Sequence, residues 1–194
     1  VPGLAKTLII STLAKLLGGN YKRIQFTPDL LPSDITGTQI YNMAKQTFDT
    51  KKGPLFSQFV LADEINRAPA KVQSALLEGM QERQITIGNE THKLSLPFFV
   101  LATQNPLDQD GTYPLPEAQM DRFIFKTILS YPTLDEEKQI IKRFQSGFPE
   151  VKNAIMDINL MTKIQELANQ VYIDDKVCEY VVRLIDATRF PEKF

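Results

Sequence analysis

The residues able to do chemistry begin with Lys6 and Thr7, in the opening run VPGLAKTLIISTLAKLLGG. A lysine at the mouth of a phosphate-binding loop reaches the β- and γ-phosphates of a nucleoside triphosphate, and the hydroxyl after it binds Mg2+. The general pattern is GxxxxGK[ST]. Val1 to Thr7 fits it when a glycine stands before Val1, with Ala5 in place of the second glycine. Pro2, Gly3, Leu4 and Ala5 are then the loop residues that face the phosphates. An ordinary amphipathic helix behind a Pro-Gly turn accounts for the same residues, and this motif alone leaves both readings open.

Three further motifs follow. FVLADE ends an apolar run in Asp63 and Glu64, which sets two carboxylates at the C-terminal edge of a parallel sheet, where such folds bind ligands. One carboxylate can hold Mg2+ through water while its neighbour activates the attacking water. ATQNP delivers Asn105 to the same edge, where its amide can meet a γ-phosphate or position water. PLPEAQMDRF places Arg122 at the start of a later run, where a guanidinium can stabilise charge on a transferring phosphoryl group of a neighbouring subunit. Each has a plainer counterpart: a solvated acidic turn, an Asn-Pro turn, and an arginine paired with Asp121 or Glu117.

These groups need elements to position them. Short apolar runs alternate with helical patterns, which predicts a parallel α/β sheet flanked by helices. Strands are expected at Tyr21 to Thr27, Gln58 to Ala62, Pro97 to Thr103 and Arg122 to Ile128. The runs QFVLA and PFFVLAT are continuous and apolar, as strands covered on both faces require. Leu8, Ile9, Leu13, Leu16 and Leu17 predict a first helix that Gly18-Gly19 stops. Pro69 to Met80 predicts another, and Gln84 to Leu94 a hairpin turning at Gly88-Asn89. Gly37 to Pro54 reads as an insertion or mobile loop.

At Tyr131-Pro132 the strands stop. Thr133 to Glu136 is a capping box, and Leu160 to Gln170 and Asp175 to Thr188 are helical in pattern. The expected organisation is an α/β nucleotide-binding domain over residues 1–131 and a small α-helical lid domain over 132–194, hinged at Pro132.

Composition narrows the partners. With 22 basic and 23 acidic residues the formal net charge is -1, which argues against a dedicated nucleic-acid binder. One cysteine, Cys178, excludes an internal disulfide and fits a reducing, cytoplasmic setting. No apolar run approaches the ~18 residues of a membrane span. His92 beside Glu90 reads as an exposed hairpin-tip residue, since a zinc site needs partners the sequence lacks. Cys178 is expected to pack inside the lid.

Taken in this order, the four motifs resemble a MoxR-type ATPase of the AAA+ superfamily. GLAKT resembles that family's Walker A, LADEINRAPAKVQSALLEGMQE its Walker B strand and helix, and ATQNPLDQDGTYPLPEAQMDRF its sensor-1 and arginine-finger region. The resemblance implies a P-loop NTPase fold, ATP and Mg2+ as cofactors, and Mg-dependent ATP hydrolysis. It implies Lys6 as the Walker A lysine, Thr7 and Asp63 as metal ligands, and Glu64 as the water-activating base. Asn105 is implied as sensor 1, and Arg122 as a finger acting in trans. Members form homo-oligomeric rings, commonly hexamers, beside von Willebrand factor A domain proteins, and act as chaperones on protein clients. The 84–94 hairpin resembles the pre-sensor-1 hairpin of that branch, and residues 37–54 its helix-2 insert. The strand before Walker A and the sensor-2 segment fall outside these residues, so a natural polypeptide longer at both ends is expected. Rival readings are a metal-chelatase-like subunit, a nucleic-acid motor, and a nucleotide-gated scaffold with negligible turnover.

Overall fold

The first helix, α1 (Lys6–Leu16), buries Ile10 and Ala14, one turn apart on one face. It ends where Gly18 takes φ of 66°, a left-handed conformation that glycine adopts without steric cost. The computed structural model describes residues 6–104, 112–147, 151 and 153–193. Along the chain follow β1 (Tyr21–Gln25), α2 (Pro32–Thr36), β2 (Gly37–Asn42), β3 (Thr47–Lys52) and β4 (Phe59–Asp63). Then come α3 (Ala70–Glu82), β5 (Gln84–Ile87), β6 (Glu90–Lys93), β7 (Phe99–Ala102), α4 (Glu117–Met120) and α5 (Leu134–Ser146).

Strands β1, β4 and β7 form one parallel sheet with β4 in the centre. Phe59, Val60, Leu61 and Ala62 are all buried, which explains why the run carries no polar alternation. The register sets Gln25 opposite Asp63 and Ala62 opposite Ala102. Helix α3 presents Val72, Leu76 and Leu77 to a core that also holds Phe26, Ile35, Leu55, Val60 and Ile65. Each such side chain contributes roughly 1.5–3 kcal/mol by leaving water.

Residues 37–54, read from sequence as an insertion or mobile loop, form an antiparallel hairpin of β2 and β3, so the loop alternative does not hold. Its two glycines meet at the base. A Cβ on Gly37 would lie 2.3 Å from the Lys51 carbonyl oxygen, and one on Gly53 would lie 2.4 Å from that of Ile35. They are there for close backbone approach, and apolar residues on both faces, Ile40 on one and Tyr41 and Phe48 on the other, left no period-2 signal. The second hairpin, β5 with β6, matches its expectation, with Gly88 at φ of 60° in the turn.

Arg122 to Ile128 is not a strand. Ile124, Phe125 and Ile128 are 85–89% exposed, and the segment joins no sheet among the described residues. Local composition favours extension there, but a strand forms only where a neighbour pairs its backbone groups.

Contacts divide the chain into two compact units, Val1–Ile158 and Asn159–Phe194. Helix α5 falls in the first, and its capping box at Thr133 and Glu136 is present as expected. The second unit consists of α6 (Ile158–Ala168), which begins one residue before it, and α7 (Asp175–Arg189). Cys178 is exposed, contrary to the expectation of a packed thiol, because α7 buries none of its described residues.

Candidate active site

Asp63 is the last residue of β4, so the buried strand carries a carboxylate to the sheet's C-terminal edge. Its two oxygens have different partners. Oδ1 accepts from the Thr103 hydroxyl at 2.5 Å, and Oδ2 accepts from Arg23 through Nε at 3.2 Å and a terminal nitrogen at 2.6 Å. Arg23 lies two residues before Gln25, on the same face of β1, and reaches Asp63 diagonally across the ladder. Desolvation pushes the Asp63 carboxyl up. The hydrogen bonds from Thr103 and Arg23, with the charges of Arg23 and Lys6, outweigh it and hold the pKa below 3.8.

Glu64 leaves the strand in a left-handed conformation, φ 56° and ψ 48°. A residue with a Cβ gives up roughly 1–2 kcal/mol there. The neighbours that hold it are visible: the Glu64 amide donates to Thr103 Oγ1 at 2.9 Å, and the Ile65 amide donates to the Thr103 carbonyl at 3.0 Å. The side chain is held through Oε2, which accepts from Gln25 Nε2 at 3.0 Å and lies 3.3 Å from Arg67 Nε. Oε1 has no partner among the described residues.

Behind this turn sits Gln73, 1% exposed on α3. Its Nε2 donates to the carbonyls of Ile65, Ala68 and Tyr113 at 2.9–3.1 Å. The Tyr113 amide in turn donates to the Asn66 carbonyl at 2.6 Å. One buried amide therefore ties the turn after Glu64 to the segment that leads toward α4.

The family description "ATPase family associated with various cellular activities (AAA)" matches residues 1–125. "Chaperone MoxR1" of Mycobacterium tuberculosis is 52% identical over 193 residues, which span all of this chain and 51% of that protein. The chain belongs to the AAA family of ATPases, in its MoxR-type branch. "Uncharacterized protein YeaC" of Bacillus subtilis is 46% identical over 190 residues, 97% of this chain and 59% of that protein. A crystal structure from Cytophaga hutchinsonii, named "putative ATPase", superposes with a TM-score of 0.88 at 53% identity, covering all of this chain and 59% of that one. The chain thus spans about half the length of the curated relatives it matches.

As an AAA chain, it sets two of the expected residues side by side at the end of β4, Asp63 and Glu64. Lys6 opens α1 with its charge felt at Asp63, and Glu64 follows directly. Thr7 is exposed on the first turn of α1. Pro2, Gly3, Leu4 and Ala5 lie outside the described residues, as does Asn105. Arg122 stands in the turn after α4, exposed, with no ion-pair partner among the described residues; neither Asp121 nor Glu117 pairs with it. His92 is not an exposed tip residue, because its side chain is 21% exposed and edges onto the Phe56 ring at 6.2 Å.

Sequence reasoning missed Arg23, Gln25, Thr103 and Gln73. The signal for the first two was there: in YKRIQFT, Arg23 and Gln25 alternate on one face of a strand that pairs with the carboxylate strand.

The donor set suits Mg2+. Asp63 and Thr7 offer hard oxygens, and Mg2+ keeps waters and nucleotide oxygens rather than needing an all-protein cage. No group of three or more His, Cys, Asp or Glu side chains that could form one occurs among the described residues. The Arg23 guanidinium on Asp63 Oδ2 shows that this oxygen already favours a cation.

Proposed function

We propose that the chain is the nucleotide-hydrolysing part of an oligomeric MoxR-type ATPase that uses Mg2+ and ATP to remodel a protein client. The observation that carries the reading is the Asp63–Glu64 pair at the C-terminal end of the buried strand β4, in a chain whose first helix opens on Lys6. Lys6 holds the β- and γ-phosphates. Thr7 and Asp63 would hold Mg2+, which supplies charge neutralisation at the phosphate oxygens when bound. Glu64 orients a water for in-line attack on the γ-phosphorus and accepts its proton, with ADP as the leaving group. Its Oε1 is the oxygen open to that water, since Gln25 and Arg67 hold Oε2.

Asn105 is assigned the γ-phosphate contact, and Arg122 the finger into a neighbouring subunit; the exposure of Arg122 supports the second assignment. We assign the chain to a homo-oligomeric, hexameric ring that pairs with a von Willebrand factor A domain protein, a reading that membership of this branch supports. The chaperone role draws on the name of the Mycobacterium relative. Residues 132–194 are assigned as the helical lid. Balanced charge and a single cysteine support a cytoplasmic setting and a protein rather than nucleic-acid client. The reading is tested by ATP turnover of the full-length protein with and without Mg2+. Turnover that requires Mg2+ and disappears in Lys6→Ala supports it, and turnover indifferent to both contradicts it.

A further inference from the structure

We infer that Arg23 is a tethered competitor for the cation at Asp63, and that its guanidinium sets how tightly the site holds Mg2+. This rests on the reading of Asp63 as the metal-holding carboxylate. Arg23 places Nε and a terminal nitrogen on the same oxygen, Oδ2, at 3.2 and 2.6 Å. A divalent ion approaching that oxygen meets a positive charge already in contact with it. An arginine stays charged at every working pH, so the competitor is always present. It is also anchored elsewhere, because the terminal nitrogen on Oδ2 donates to Gln25 Oε1 at 2.7 Å.

The alternative role, that Arg23 merely orients the carboxylate, is already filled. Thr103 grips Oδ1, and β4 fixes the backbone on both sides by ladder hydrogen bonds. Without Arg23 the carboxylate keeps its aim and loses a competing charge. The Asp63 side chain is 15% exposed and that of Arg23 48%, so the arginine approaches from the solvent side. A metal held weakly for this reason arrives with the nucleotide, whose phosphates offset the guanidinium charge, rather than ahead of it.

The test uses Mn2+ as the probe, titrated into the full-length protein in the presence of ADP and followed by electron paramagnetic resonance of the free ion. Arg23→Gln is expected to bind Mn2+ about two- to five-fold more tightly than wild type, the range set by a half-exposed ion pair. Arg23→Lys, which keeps the charge, stays within about two-fold of wild type, and the Arg23→Gln gain shrinks in about 0.5 M salt. Asp63→Asn weakens Mn2+ binding. If Asp63→Asn weakens it but Arg23→Gln leaves it unchanged or weaker, the competitor role is overturned while the Asp63 assignment stands. If Asp63→Asn has no effect, both fall.

Discussion

Thr103 donates its hydroxyl to Asp63 Oδ1 and, through the same oxygen, accepts the backbone amide of Glu64 at 2.9 Å. A single side chain, 6% exposed at the end of β7, thereby fixes one carboxylate by its side chain and the next by its backbone. The two residues assigned to metal and water are thus aimed by one hydroxyl that bonds to both.

Thr103→Val is isosteric and removes both bonds. It leaves the Glu64 amide without its partner, at a cost of about 1–3 kcal/mol, and frees the left-handed turn. Turnover by the full-length protein is expected to fall by at least about ten-fold, with Thr103→Ser retaining most of it. Steady-state kinetics beside a thermal melt separates misplacement from unfolding, because Thr103→Val should still melt cooperatively.

The depressed pKa of Asp63 gives stability a definite pH dependence. Its folded pKa lies below the ordinary 3.8, so its contribution is present above that value and is lost as pH falls through the folded pKa. The stability difference between wild type and Asp63→Asn should be constant above about pH 5 and should shrink below pH 3.8. Urea denaturation across this range reads it. A difference that widens on acidification would reverse the sign of the shift.

Gly37→Ala should open the base of the β2–β3 hairpin. Its φ of 105° disfavours any side chain, and the new Cβ would meet backbone atoms of Lys51 and Gly53 that cannot move aside. A loss of roughly 1–3 kcal/mol is expected, read as a lower melting temperature. Gly147→Ala is the control for space, since a Cβ there meets nothing within 4 Å although its φ is 77°.

Much of this was legible in the sequence, for reasons that differ by element. QFVLA declared itself because a strand covered on both faces must be apolar throughout, and the structure buries Phe59 to Ala62. PFFVLAT gave its strand but not its cover, since β7 is at the edge of the described sheet with Phe99 exposed. Helix α3 showed its face through Val72 and Leu76, four residues apart. The carboxylate pair stood at a strand end that composition alone could locate. The β2–β3 hairpin did not show, because its few apolar residues, Ile40 on one face and Tyr41 and Phe48 on the other, do not alternate, and what specifies it is the approach of Gly37 to Gly53. RFIFKTI misled in the other direction, since strand-like composition says nothing of whether a neighbour is there to pair. Arg23, Gln25 and Thr103 were invisible as site residues because their roles depend on the register of β1 and β7 against β4.

The central claim is that Glu64 activates water for attack on ATP. The most direct test is ATP turnover by the full-length protein against its Glu64→Gln variant, with nucleotide affinity measured alongside. Glu64→Gln keeps the size and hydrogen-bonding reach of the side chain but cannot take the proton. The account predicts ATP affinity within about two-fold of wild type and a loss of turnover of about 10²-fold or more. Turnover that survives the substitution, with ATP bound equally well, would contradict it.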